Sequence, residues 1–167
     1  MANINGSFGL RPLSKLGGGS NSTGLTGYTP YEIASNNSDS IYHGQLVIPL
    51  ASGYIDHTAN AAGGTVSHLG VFQGCEYVSS VNGKTIWSNY WPGSGADSDF
   101  PVKAFINDDP SQLYVIATDA SWTSKATARA SVFLNANLST GITGTDATGL
   151  SLGRLAISTL ATTNSLA

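Results

Sequence analysis

Charge is what this sequence has least of. Asp, Glu, Lys and Arg together make up 10% of its 167 residues, against roughly 25% in an ordinary soluble domain. The seven basic residues, Arg11, Lys15, Lys84, Lys103, Lys125, Arg129 and Arg154, are scattered, and the formal net charge is −3. No block of them could track a phosphate backbone, so the composition argues against nucleic-acid binding. There is one cysteine, Cys75, which excludes an intramolecular disulfide framework and a cysteine-based zinc site. Long apolar runs are missing too. The strongest, near residues 46–51, is far too short to span a bilayer. Residues 1–10 carry neither a basic n-region nor an apolar h-region, so the sequence predicts a product made in the cytoplasm and not secreted.

Low charge does not mean disorder here. A disordered chain is poor in apolar residues and rich in net charge, whereas 41% of this one is hydrophobic. Ser, Thr, Asn and 20 glycines fill the remaining surface. A hydroxyl or amide that finds a hydrogen bond is cheaper to bury than a charge. Such a surface suits a subunit covered by neighbours.

The chain divides in two. Residues 1–27 are glycine-rich, hold no acidic residue and show neither helical nor strand period. They read as an extended N-terminal arm with isolated apolar anchors. Residues 28–167 read as one all-β domain, a sandwich or barrel with at most one short helix. Short stretches rich in Val, Ile, Tyr, Phe and Trp alternate with turn residues. The expected strands are 28–34, 45–50, 53–57, 66–72, 76–79, 84–90, 102–106, 112–117 and 155–160. Asn82-Gly83 predicts a two-residue type I′ hairpin turn. The stretch 123–132, with a Ser/Thr cap, is the one helical candidate.

The motifs that suggest chemistry are incomplete. Gly149-Leu150-Ser151-Leu152-Gly153 matches the nucleophile-elbow pattern, but in that fold the acid and histidine follow the serine. No Asp, Glu or His follows Gly153, and His43, His57 and His68 all lie upstream. The glycine-rich run at 16–24 lacks the Gly-Lys-Ser/Thr ending of a phosphate loop. Asp97, Asp99, Asp108 and Asp109 do not complete a calcium loop. Asp56-His57, His43 and His68 have no ligand-like spacing. The expectation is no enzyme, no metal and no cofactor. Trp87, Tyr90 and Trp91 cluster before Pro92-Gly93. They read as core packing, a subunit interface or a carbohydrate platform.

Two stretches carry a resemblance. Asn5-Gly6-Ser7-Phe8-Gly9-Leu10-Arg11-Pro12 is followed by Asn21-Ser22-Thr23-Gly24, then Tyr31 and Ile33. Further on come Gly70-Val71-Phe72-Gln73-Gly74-Cys75-Glu76-Tyr77, Ser88-Asn89-Tyr90-Trp91-Pro92 and Asp108-Asp109-Pro110. In this order, over about residues 1–155, they resemble a family of small virion proteins of tailed phages, including cyanophages and other aquatic phages, associated with capsid cement or decoration. The resemblance implies a structural protein on the capsid exterior that binds the major capsid protein and stabilises the shell, with no catalytic residue. A tail or head–tail connector component is the alternative within the virion, and a carbohydrate-binding module on Trp87, Tyr90 and Trp91 the alternative outside it. The expected partners are the capsid protein and further copies of the chain, a trimer ahead of a dimer, with no membrane. The arm is expected to lie across a neighbouring subunit, anchored by Phe8, Leu10 and Leu13, with Arg11 paired to a capsid carboxylate and Pro12 stiffening the chain; the alternative is that it folds back along its own sheet as an extra strand.

Overall fold

The computed structural model describes residues 6–16, 27–57, 68–139 and 143–162. It is an all-β protein, as the sequence predicts. The central strand is β5 (Gly70–Val78), which pairs along one edge with β7 (Val102–Asn107). Its other edge is shared by β3 (Leu46–Pro49) at the Val71 end and β6 (Thr85–Ser88) at the Val78 end. Outside these lie β2 (Thr29–Ile33) on β7 and β4 (Ile55–His57) on β3, and all pairings are antiparallel. The sheet curls until its outer strands β2 and β4 come together.

The curl encloses the core. Val102, Ala104 and Ile106 alternate inward along β7, the two-residue period of a strand with one buried face. They meet Ile33, Val47, Ile55, Phe72 and Cys75, and the bowl is closed by Ile41 and Trp91, whose backbones pair with each other. The sequence reading splits β5 into two strands at Gly74. The structure joins them through a bulge between Phe72 and Gly74. Gly74 takes φ +148°, and a Cβ there would come within 2.9 Å of the Ser88 carbonyl, so only glycine fits this bulge.

A second layer covers the outer face of the sheet near Val71. It consists of the two-stranded ribbon β1 (Arg11–Lys15) with β8 (Gln112–Val115), the hairpin β9 (Gly144–Thr145) with β10 (Leu150–Ser151), and a 3₁₀ turn at Ile157–Thr159, while the helix α1 (Lys125–Ala130) stands off the strands across a cavity. Ser124 caps α1 through a capping box with Thr127, which fixes the helix start two residues later than the sequence pattern suggests.

Three expectations need correction. The stretch 155–160 is not a strand. Leu155 makes only isolated bridges, and the next residues turn because the Asp119 carboxylate accepts the Ile157 N–H at 3.0 Å. The Asn82-Gly83 turn is not type I′, because Gly83 has positive φ and Asn82 does not. Residues 80–83 form a wider loop closed by Gly83 N–H to the Ser79 carbonyl at 2.9 Å. The third correction concerns the arm. Its described part, residues 6–16, is extended but lies on its own chain. The Leu10 N–H donates to the Gly44 carbonyl at 2.8 Å, Gln112 Nε2 donates to the Ser14 carbonyl at 3.0 Å, and Lys15 pairs with Asp109 at 2.9 Å. Gly9 and Gly44, both at positive φ, let the backbones touch. A Cβ on Gly9 would sit 2.7 Å from the Gly44 oxygen. Residues 1–5 and 17–26 of the expected arm lie outside the described residues.

Cys75 is a core atom group, not a reactive one. Its thiol lies inside the sheet and burial pushes its pKa from 9.0 to about 12. Tyr114, on the inner side of β8, is likewise raised to about 12, mainly by burial. Groups raised in the folded state leave stability intact below the unfolded values and erode it as the unfolded chain ionises first. Melting temperature should therefore fall progressively between about pH 9 and pH 12. A thiol reagent at pH 8 should label Cys75 only as fast as the protein unfolds. Rapid labelling under native conditions would contradict the burial.

Candidate functional site

The aromatic cluster is split by the sheet. Trp91 is 0% exposed, packs edge-on to Tyr77 at 5.3 Å and donates its indole N–H to the Asn37 carbonyl. It is a core residue, which removes it from the interface group. Trp87, in β6 opposite Glu76, stands on the outer face of the sheet, is 69% exposed and stacks on Phe105 at 5.6 Å. Tyr90 is half-buried and stacks on Tyr42 at 5.7 Å. The three cannot present one flat glycan platform, because the chain leaves β6 after Ser88 and turns at Tyr90, which carries Trp91 into the bridge with Ile41 under the sheet while Trp87 stays on its outer face.

Ser151 of the elbow-like motif lies in the β9–β10 hairpin and is 2% exposed. Its backbone N–H donates to the His43 carbonyl, and its hydroxyl accepts the Gly153 N–H at 3.1 Å. The His43 ring turns elsewhere, with Nδ1 3.0 Å from the Gln73 carbonyl. No strand-to-helix turn exposes this oxygen, as an elbow requires. Ser151→Ala should leave any esterase signal of a preparation unchanged and cost about 1 kcal/mol of stability through the lost hydrogen bond. An activity abolished by that substitution would overturn this assignment.

The acidic residues are accounted for locally. Asp108 accepts hydrogen bonds from Thr29 and Tyr31, and Asp97 accepts the Asp99 N–H. The Lys15 ammonium beside Asp109 holds its carboxyl below the usual carboxylate range. One grouping escaped the sequence reading. Donor atoms of Asp39, Asp56 and His57 lie within 4.8 Å of one another, close enough to share a cation. Asp56 already accepts from Asn37 Nδ2 and the His57 N–H, and lies 3.4 Å from His57 Nδ1. Asp39 comes from a distant loop, so no spacing announces the group.

What the described surface offers instead is exposed apolar side chains. The β1–β8 ribbon turns Leu13, Leu113 and Val115 outward. Phe8 and Leu10 are half-buried, and Arg11 lies over the Phe8 ring at 5.1 Å. Pro12 is half-buried opposite Tyr114. Of the five expected anchors, Leu13 and Arg11 thus face solvent, and Phe8, Leu10 and Pro12 face the chain itself. Between ribbon, sheet and α1 opens an apolar cavity of about 530 Å³, walled by Leu46, Val71, Trp122, Val132, Leu138 and Leu155. At its rim Phe133 is 98% exposed and held at φ +70°. No family model, curated protein or solved structure matches this chain. No helix among the described residues is long and apolar enough to cross a membrane.

Proposed function

We propose that this chain is a structural protein of a tailed-phage virion that decorates the capsid exterior, binds the major capsid protein and stabilises the shell. The observation that supports the reading most is the combination of very low charge with large apolar groups left in solvent, above all Phe133, Trp87 and Leu13. Exposed apolar groups on a charge-poor surface suit contact with a macromolecule, the setting in which charges are depleted and aromatics enriched. A protein bound at many equivalent lattice sites needs no cofactor or catalytic centre, because repeated weak contacts add up. The order of the motifs from Asn5 to Pro110, which resembles phage decoration proteins, points the same way. Attachment would use the outward face of the β1–β8 ribbon, with Leu13 and Arg11, in place of a free arm.

The test is cosedimentation of the purified chain with undecorated capsids, followed by imaging of the decorated particles. Regular density at lattice sites, reduced when Leu13 is replaced by Asp, is the expected result. Density confined to the tail or the head–tail junction would move the protein to the connector reading. Failure to bind any capsid would overturn the proposal.

A further inference from the structure

Helix α1 is an anomaly in this fold. None of its residues is buried and it packs against no strand. Ala128, Ser131 and Val132 instead line the apolar cavity. Lys125 and Arg129 fall on the same stripe as Ala128 and Val132 by helical spacing. Both are exposed and make no ion pair among the described residues, and no acidic residue occurs between 120 and 145. The site is thus an open apolar hole with a basic rim. Phe133, between the lining residues Val132 and Leu134, sits in the left-handed region that a bulky residue rarely adopts, and nothing in the described chain covers its ring.

The complementary shape lies at the opposite end of the molecule. In the turn at 97–100, Phe100 is 50% exposed and stands beside Asp97 and Asp99, neither of which has a cationic partner among the described residues. This turn is tied to the Val78 end of β5 through Asp97 N–H to the Val78 carbonyl, at 2.8 Å. The cavity is at the Val71 end, about 23 Å away along the strand at ~3.3 Å per residue. An aromatic ring fits the hole easily, since a cavity of about 150 Å³ already admits benzene.

We propose that copies of this chain associate head to tail, the turn at 97–100 of one copy seating Phe100 in the apolar cavity of the next. Asp99 then faces Lys125 and Arg129, and Phe133 is covered by the incoming copy. A twofold contact through the cavity would instead bring Lys125 and Arg129 of both copies together. A head-to-tail contact closes into a ring where the rotation allows, or continues as a filament. The contact does not depend on a capsid, so it stands or falls apart from the decoration reading.

Light scattering of the intact chain over a concentration series tests it. The wild type should be oligomeric. Asp99→Lys alone, and Lys125→Glu with Arg129→Glu, should each weaken association at least about tenfold. Mixing the two variants should restore it, because each supplies what the other now needs. Phe100→Ser should weaken association and stay weak when mixed with Asp99→Lys, since neither then has a working turn, but should form a capped dimer with the Lys125→Glu and Arg129→Glu variant through the one intact turn and cavity. All four positions are exposed, and circular dichroism should show the fold unchanged. A wild type that stays monomeric, or an oligomer that Asp99→Lys and Phe100→Ser leave as tight as before, would overturn the proposal.

Discussion

Trp91→Ala should be the most damaging single substitution in this protein, lowering stability by about 3–5 kcal/mol. For a chain of this size that corresponds to a fall in melting temperature of about 6–20 °C. Trp91 is the largest of the fully buried side chains. Its removal leaves a hole facing Tyr77, Ile41 and Cys75, and strips the Asn37 carbonyl of its indole donor. The Asn37 segment also positions Asp39 and Asp56, so the loop over the core would loosen with it. Trp91→Phe keeps the aromatic contact with Tyr77 and should cost less than half as much. Trp87→Ala, on the other face, should change the melting temperature by only a few degrees. Equal effects at Trp87 and Trp91 would contradict the division of the two rings between core and surface.

Deleting residues 2–16 should also destabilise the folded chain, by on the order of 4 kcal/mol. The deletion removes β1 from β8 and the half-buried Phe8, Leu10 and Pro12 from the body. It leaves the edge of β8 unpaired and the Gly44 carbonyl without the Leu10 N–H. Loss of apolar burial at about 25 cal/mol per Å² and of several hydrogen bonds at about 1 kcal/mol each sets the scale. Gly9→Ala should produce a milder form of the same effect, since it forces the two backbones apart at Gly44. Thermal melts of the three proteins decide the matter. An unchanged melting temperature after deletion would return the segment to the role of a free arm reaching a neighbour.

The arm shows where sequence reading stops. Glycines at 6 and 9, the absence of acidic residues and the lack of period describe an extended segment that cannot fold alone. They do not say which surface receives it. That depends on Gly44 lying bare next to it and on Gln112 and Asp109 offering partners nearly a hundred residues away. The metal-capable grouping of Asp39, Asp56 and His57 was hidden for the same reason, since two of its members are adjacent and the third arrives only through the fold.

The all-β class, the positions of most strands and the single short helix are legible in the residues alone, because β-branched and aromatic runs between turn residues specify backbone state locally. The low surface charge is legible there too, since composition alone sets that. It takes the packed fold to show that Gly74 joins two apparent strands into one, that Trp91 points inward and Trp87 outward, and that Ser151 is buried beside the His43 backbone and not its ring. Each of these depends on strand register and on the packing of distant segments, and a shift of one residue in register would exchange the faces.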